Sequence, residues 1–351
     1  MPKHKGKVTL KMIGDEAGVS IGTVARALNN HDGINSETRS MILDIAKKLN
    51  YHPNKLAGAL GRKKALHIGI AYAEVSRDFY SLIDSGITDA AIELEDFGVT
   101  VEKIRYESQN PEVEYATLSS IDVSKYDGIA INSAGSAIES LIDRFASEKL
   151  PVITFNTDAA NSSRLFYVGS NTRQSGMMSA EMLGMLVCYS GKVAVLGDFT
   201  RATPFIERFG GFCEYAQINY PDMHIHPCAH ASSNADAMAR RLVEMIGLIP
   251  DIKGVFCTGY TSTLGAMEAL RDTGRGDIRV VGYDVTAKTV KAMREGCIDA
   301  LIFQDPYQQG YKATKLLARH LLEGYLPSKP HKYIENRIVI KSNLNTYYRE
   351  S

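Results

Sequence analysis

The chain has 351 residues, 40 Lys and Arg against 40 Asp and Glu, and 44% hydrophobic residues, enough for two or three domains with cores of their own. The zero net charge hides an asymmetry: residues 1–64 hold 12 Lys/Arg against 5 Asp/Glu, while the rest holds 28 against 35. A basic end on an acidic body suits phosphate contact at that end only, and no apolar run reaches the ~18 residues that a membrane span requires.

Residues 8–28 carry the first pattern. Leu10, Ile13 and Ala17 recur at helical spacing and form one apolar face. Small Ala17 lets a second helix cross closely, Gly18 permits a sharp turn, Val19 plugs the corner and Ser20 caps the next helix. Val24 and Leu28, four apart, bury the inner face of that helix, and Ile21, Gly22, Thr23 and Arg26 form its outer face. This is the layout of a helix-turn-helix, whose second helix enters the DNA major groove. A third helix follows, with Ile42, Ile45, Ala46 and Leu49 inward and Ser36 as its cap. The exit reads Tyr51-His52-Pro53-Asn54.

With its three helices, the turn Gly33-Ile34-Asn35-Ser36-Glu37-Thr38-Arg39 and the Tyr-x-Pro-Asn exit in order, the run 8–60 resembles the headpiece of the LacI/GalR family of bacterial transcription regulators. The resemblance implies that the first two positions of the recognition helix and a later Arg read bases, here Ile21, Gly22 and Arg26. Gly22 has no side chain to read a base, so specificity leans on Ile21, Ala25 and Arg26. Arg pairs bidentately with guanine, and Ile or Ala touches a thymine methyl. The candidate DNA-contacting residues are Thr9, Ser20, Ile21, Gly22, Thr23, Ala25, Arg26, Asn29, Asn54, Ala57 and Leu60. Residues 53–61 are expected to form a short hinge helix, with Leu60 as the family's minor-groove wedge. Gly58 costs that helix roughly 1 kcal/mol relative to Ala, so it orders when two copies meet in the groove.

From Leu66 onward the pattern alternates. Strands are predicted near 66–73, 99–106, 128–134, 151–156, 165–169, 192–198, 224–231, 253–258, 279–284, 299–304 and 331–341. Helical patterns lie between most of them, which implies an α/β body of parallel sheets covered on both faces. The runs Pro151-Val152-Ile153-Thr154-Phe155-Asn156, Val280-Val281-Gly282-Tyr283-Asp284 and Gln304-Asp305-Pro306-Tyr307-Gln308-Gln309-Gly310, in this order, resemble the type I periplasmic sugar-binding fold. That fold has two Rossmann-like lobes that close about a ligand. The domains are accordingly read as an all-α headpiece (1–52), a hinge linker (53–64) and an effector-binding and dimerisation domain (65–351). Lobe one takes about 65–162 and 305–330, and lobe two about 163–304 and 331–345. Crossings are placed near 159–168, 304–306 and 328–334.

Open parallel sheets bind ligands at the carboxyl ends of their strands. Phe79 and Tyr80 follow the first strand and match the aromatic pair that stacks on a sugar in ribose-binding-like proteins. Asn132, Asn156 and Asp158, Asp284, and Gln304 end later strands. Amides and carboxylates beside aromatic faces suit the hydroxyls of a polyol. Two departures indicate a remodelled pocket. Ile206 stands where the family often has an Arg, leaving Arg201 or Arg208 to take its place, and Thr258-Gly259-Tyr260 replaces a frequent Asn-Asp.

Other signals carry less. His224, His226, Cys228 and His230 alternate on one strand and would face one side, but residues in a row wrap a metal poorly. They are read as an edge-strand face, with metal binding left open. Met177, Met178, Met182 and Met185 have helical spacing and suit core or dimer packing. Five scattered cysteines without C-x-x-C point to free thiols in a reducing compartment, and the basic N-terminus lacks the apolar segment of a signal peptide. No nucleophile elbow, HExxH or P-loop pattern marks an enzyme, and no cofactor is called for. The expectation is a cytoplasmic, nucleoid-associated bacterial repressor of carbohydrate uptake or catabolism genes, without catalytic or metal residues. As a homodimer, with a tetramer left open, it binds a near-palindromic double-stranded operator under control of a sugar or polyol, away from membranes. The alternatives are a sugar-transport solute-binding protein and a regulator sensing a non-sugar metabolite.

Overall fold

The computed structural model describes residues 10–28, 33–49, 51, 65–73, 77–106, 111–132, 138–199, 203–229 and 234–348. The chain divides into two compact units, Met1–Lys64 and Ala65–Ser351.

In the first unit, helices α1 (Leu10–Ala17), α2 (Ile21–Leu28) and α3 (Ser36–Lys48) enclose a small core. Ile13, Val24, Ala27, Ile42 and Ala46 are buried, with Leu10, Ala17, Leu28 and Ile45 packed around them. Gly18 turns the chain with φ +65°, a left-handed conformation that glycine adopts without a steric penalty. The residue that admits the close crossing is Gly14, at which a Cβ would lie 2.9 Å from the Val19 carbonyl oxygen. The Ser20 hydroxyl accepts the Thr23 amide at 3.2 Å, starting α2. The cap of α3 is Asn35 and not Ser36: Asn35 Oδ1 accepts from Thr38 N at 2.7 Å, because the helix starts one residue earlier than a Ser36 cap requires.

In the second unit, strands and helices alternate as β1 (Leu66–Ala73), α4 (Arg77–Glu95), β2 (Val99–Tyr106), α5 (Pro111–Ser119), β3 (Gly128–Ile131), α6 (Glu139–Ser147), β4 (Val152–Phe155), β5 (Tyr167–Ser170), α7 (Thr172–Leu186), β6 (Gly191–Gly197), α8 (Thr203–Asn219) and β7 (Met223–Ala229). They continue as α9 (Ala235–Leu248), β8 (Ile252–Cys257), α10 (Tyr260–Thr273), β9 (Arg279–Tyr283), α11 (Ala287–Glu295), β10 (Ala300–Phe303), α12 (Pro306–Glu323), β11 (His331–Ile334), β12 (Arg337–Val339) and α13 (Leu344–Tyr347). Two six-stranded sheets result, ordered β11-β5-β4-β3-β1-β2 and β12-β10-β9-β8-β6-β7. All pairings are parallel except β10 with β12. Strand β6 illustrates the two-sided burial of such a sheet: Ala194 and Leu196 join the core under α9 and α10, while Val193 and Val195 join the core under α7 and α8.

The chain crosses between the sheets three times, and two crossings fall later than the sequence reading put them. Residues 167–170 pair with β4 in the register Thr154↔Tyr167 and Phe155↔Val168, so they belong to the first sheet and the chain leaves at Asn171. The stretch 331–341 is not one strand. Its first part extends the first sheet and its last part the second, with Glu335 and Asn336 between them. Lobe one therefore keeps 163–170 and 331–334. The crossings are stitched together by side chains: Ser170 donates its hydroxyl proton to Asn336 Oδ1, and Asn336 Nδ2 donates to the Asn171 carbonyl at 3.0 Å.

Candidate functional site

The outer face of α2 is bare. Ile21 is 50% exposed, and Gly22 and Arg26 are exposed beside it, because Val24 and Ala27 take the buried side of the same helix. Ser20 and Thr23 share a hydroxyl hydrogen bond at 2.9 Å at the start of this face. Arg26 folds back so that its Nε donates to the Gly22 carbonyl at 3.3 Å, a long bond that an external acceptor can replace. Thr9, Asn29, Asn54, Ala57 and Leu60 lie outside the described residues, as does the expected hinge at 53–61.

The cleft lies where the strands of both sheets end. Asn156 follows β4 and Asp284 follows β9, and both adopt left-handed backbone, with φ 61° and 68°. Non-glycine residues do so at some steric cost, and such positions concentrate at functional sites. From there a chain of hydrogen bonds runs between the lobes. Asn132 Nδ2 donates to Asn156 Oδ1 at 2.9 Å, and Asn156 Nδ2 to Gln309 Oε1 at 3.0 Å. Gln309 Nε2 donates to the Gln304 carbonyl at 2.8 Å, and Gln304 Nε2 to Asp284 Oδ1 at 2.8 Å. Tyr80 sits at the start of the chain, its hydroxyl 3.5 Å from Asn132 Oδ1. Phe79 is buried edge-on against Tyr80, with ring centroids 5.3 Å apart. Asp158 stands apart, clamped by the Arg164 guanidinium and accepting from the Thr154 hydroxyl at 2.8 Å.

Arg208 anchors the second lobe's share. Its Nη1 donates to the Thr258 carbonyl at 2.7 Å, its Nη2 to Gln304 Oε1 at 3.0 Å, and its guanidinium lies 4.0 Å above the Tyr283 ring. Only 4% of Arg208 is exposed, yet its Nε has no partner among the described residues. The close approach that seats it is paired. A Cβ on Gly176 would lie 2.0 Å from the Arg208 carbonyl oxygen, and one on Gly211 would lie 2.1 Å from that of Arg173. Burial holds the Asp284 carboxyl up at about 6, against the opposing pull of the Gln304 amide and the Arg208 charge. Across the cleft, the Tyr260 hydroxyl at the start of α10 donates to Asp78 Oδ2 at the start of α4, at 2.7 Å.

The structure thus brings Tyr80, Asn132, Asn156, Asp284 and Gln304 into one network and leaves Asp158 in an ion pair. Arg208, Gln309 and Tyr260 were not among the site residues read from sequence. Arg208 is one of the two arginines that could take the place of the family arginine missing at Ile206, and Gln309 belongs to the run 304–310. Arg201 lies outside the described residues. In the His-rich strand β7, His224 is exposed and Cys228 buried, on the edge of the second sheet, and His230 is outside the described residues. Among the described residues no group of His, Cys, Asp and Glu converges on a metal site, and no helix is long and apolar enough to cross a membrane.

Comparison with known proteins agrees with both halves. Residues 9–54 match the family model described as bacterial regulatory proteins of the lacI family, and residues 68–324 match the periplasmic binding protein domain. Catabolite control protein A of Staphylococcus aureus is 23% identical over 336 residues, covering 94% of this chain and 97% of that protein. The sucrose operon repressor of Pediococcus pentosaceus is 26% identical over 286 residues, covering 80% and 83%. Among solved structures, the glucose-galactose binding protein GanP of Geobacillus stearothermophilus superposes with a TM-score of 0.75 at 24% identity, covering 80% of this chain and 99% of its own.

Proposed function

Because this chain belongs to the LacI family of bacterial regulatory proteins, with a periplasmic binding protein domain behind its headpiece, we propose that it represses carbohydrate genes under control of a small sugar or polyol. It is a DNA-binding regulator of sugar metabolism, a role supported by relatives named catabolite control protein A and sucrose operon repressor; the family is one of regulators and not of enzymes. The observation that carries the DNA half is the exposed face of α2 around Ile21 and Arg26. Arg26 reads a base edge, and Ile21 and Ala25 supply apolar contact to a thymine methyl. As a homodimer in the cytoplasm the protein meets a near-palindromic operator, since a two-fold protein binds a two-fold site. Leu60 wedges the minor groove between the two copies.

The sensing half rests on the network between the lobes. Ligand hydroxyls compete for Asp284, Asn156 and the spare Arg208 Nε–H, so occupancy changes the bonds that link one lobe to the other. Linkage then requires that effector and operator alter each other's affinity by the same factor. The test is a gel shift on the DNA upstream of the protein's own gene, with and without candidate sugars. A shifted band that a sugar strengthens or releases is expected; a band indifferent to all sugars removes the sensing half.

A further inference from the structure

Gln304, Asp305 and Pro306 carry the chain from β10 in the second sheet to α12 against the first, and the middle residue is held in an unfavourable backbone. Asp305 has φ 50° and ψ 66°, the left-handed region that disfavours a residue with a Cβ. Two further rules oppose that conformation. Asp305 is the N-cap of α12, and N-caps are ordinarily extended. Asn35, Asn171, Asn234 and Thr286, which cap α3, α7, α9 and α11 with their side chains, all are. Pro306 comes next, and a proline ring favours extended backbone at the residue before it. Among the described residues at the three crossings, Asp305 is the one in left-handed backbone.

What holds Asp305 is its carboxylate. Oδ1 accepts from the Gln308 amide at 3.2 Å, and Oδ2 faces Arg337 Nη1 at 3.7 Å. Arg337 opens β12, just past the third crossing, and pairs in register with Phe303 of β10. Its Nε donates to Glu335 Oε2 at 3.2 Å, on the third crossing itself. The ion pair therefore ties the second crossing to the third. Only 15% of the Asp305 side chain is exposed, so salt screens the pair less than a surface one. At 3.7 Å it is also long enough for a small shift of either crossing to break it. Members of the cleft network stand on both sides of Asp305. Gln304 Nε2 donates to Asp284, and the Gln304 carbonyl accepts from Gln309 Nε2 at 2.8 Å. Rotation about φ of Asp305 changes the angle between the Gln304–Asp305 peptide and α12, and with it the bond from Gln309.

We propose that Asp305 is a strained hinge residue clamped by Arg337, and that this clamp sets the balance between two lobe angles. While Arg337 holds the carboxylate, Asp305 stays left-handed and the amide chain stays joined. When the clamp opens, Asp305 relaxes toward the extended backbone that its capping role and Pro306 both favour, and the bond from Gln309 to Gln304 is released. A hinge residue absorbs the φ and ψ change of a domain movement, and strain at that residue favours the movement in one direction. Arg337 is thus a positioning residue that acts through Asp305. The proposal rests on the sensing role given above and names the element whose balance a ligand in the cleft would bias.

The experiment is small-angle scattering of the ligand-free full chain, with thermal melts in parallel so that the radius is read from folded protein. Asp305→Ala and Asp305→Gly both lose the clamp and the capping bond, and they differ in the cost of left-handed backbone. Arg337→Met removes the clamp alone and keeps most of the side-chain stem. Arg337→Met and Asp305→Ala should each enlarge the radius of gyration. Asp305→Gly should keep the parent radius, because without a Cβ there is no strain to release. Glu335→Gln, which removes the other partner of Arg337 at a side chain 75% exposed, should also keep it. In Arg337→Met, amide exchange over the first turn of α12 should quicken several-fold. Equal radii for the Ala and Gly variants would overturn the strain, and a parent radius with parent exchange in Arg337→Met would overturn the clamp. A gel shift on the upstream DNA separates the hinge from the sensing role. An enlarged radius in Arg337→Met with parent DNA affinity would uphold the hinge and remove the link between lobe angle and operator.

Discussion

The two units hold their polar groups in opposite ways. On α2 the recognition face is exposed, and its one arginine makes only a long bond to its own helix, 3.3 Å from Arg26 Nε to the Gly22 carbonyl. In the cleft nearly every polar group is buried and already bonded, from Asn132 through Gln309 and Gln304 to Asp284 and Arg208. The first face binds by adding contacts, so its affinity follows the number of base and phosphate bonds made. On the proposed reading the second would bind by exchanging contacts, so its affinity would depend on the internal bonds that a ligand must release. Those bonds join one lobe to the other, so under the proposed reading a small molecule that replaces them would change the lobe angle.

The sharpest way to break this comparison is Arg208→Ala. The change strips donors from the Thr258 carbonyl and from Gln304 Oε1, both buried, and removes a positive charge that favours the Asp284 carboxylate. Leaving two buried acceptors unpaired costs about 2–5 kcal/mol. Urea unfolding of the body should show that loss, while operator affinity of the folded fraction, measured without effector, should stay within twofold. A body as stable as the parent would mean that the cleft bonds are as replaceable as the Arg26 bond.

Asp284 sharpens the contrast through pH. Its folded value of about 6 lies above the unfolded 3.8, so the protonated form is favoured in the fold. The stability this adds is complete below pH 3.8 and is lost as pH rises through 6. At 1.36 kcal/mol per pKa unit the whole swing is about 3 kcal/mol. The parent body should therefore lose stability relative to Asp284→Asn between pH 5 and pH 7.5 in denaturant titrations. Parallel curves for the two proteins would show that the carboxyl is solvated and the cleft open.

The headpiece counterpart is smaller. Arg26→Ala should weaken operator binding by about 1–3 kcal/mol and relax one base position. Competition gel shifts against single-base operator variants would reveal it. An equal loss on every sequence would make Arg26 a phosphate contact.

These predictions draw on residues that were unequally legible in the sequence. The headpiece could be read almost completely, because Ile13, Val24, Ile42 and Ala46 follow a 3.6-residue period and the turn needs Gly18. What escaped there was a matter of one residue, the Asn35 cap and the Gly14 contact, because several small or polar neighbours satisfy the same local rule. In the body, strand ends pointed to Asn132, Asn156, Asp284 and Gln304, since a parallel sheet places its binding residues there. The crossings were misplaced because apolar runs do not say which sheet they join; the register of Tyr167 against Thr154 does. Arg208 and Gln309 sit inside helices and reach the cleft only through tertiary packing, such as the Gly176 and Gly211 contacts, and no local pattern announces that.

Tyr260 gives the finest test of the comparison, because its bond joins the lobes without being part of the amide chain. The Tyr260 hydroxyl donates to Asp78 at 2.7 Å between the starts of α10 and α4. Burial and the Asp78 charge both hold the phenol protonated, so the donor is present throughout the physiological pH range. Tyr260→Phe keeps the ring and removes one hydrogen bond, a loss of about 0.5–1.5 kcal/mol. If the lobes are held by exchangeable bonds, that loss shifts the population toward the open form. Small-angle scattering of the ligand-free variant should give a larger radius of gyration, and a bound effector should leave several-fold faster. Unfolding free energy should fall by no more than the one bond. An unchanged radius together with an unchanged effector off-rate would mean that the lobes are locked by the crossings and the amide chain alone.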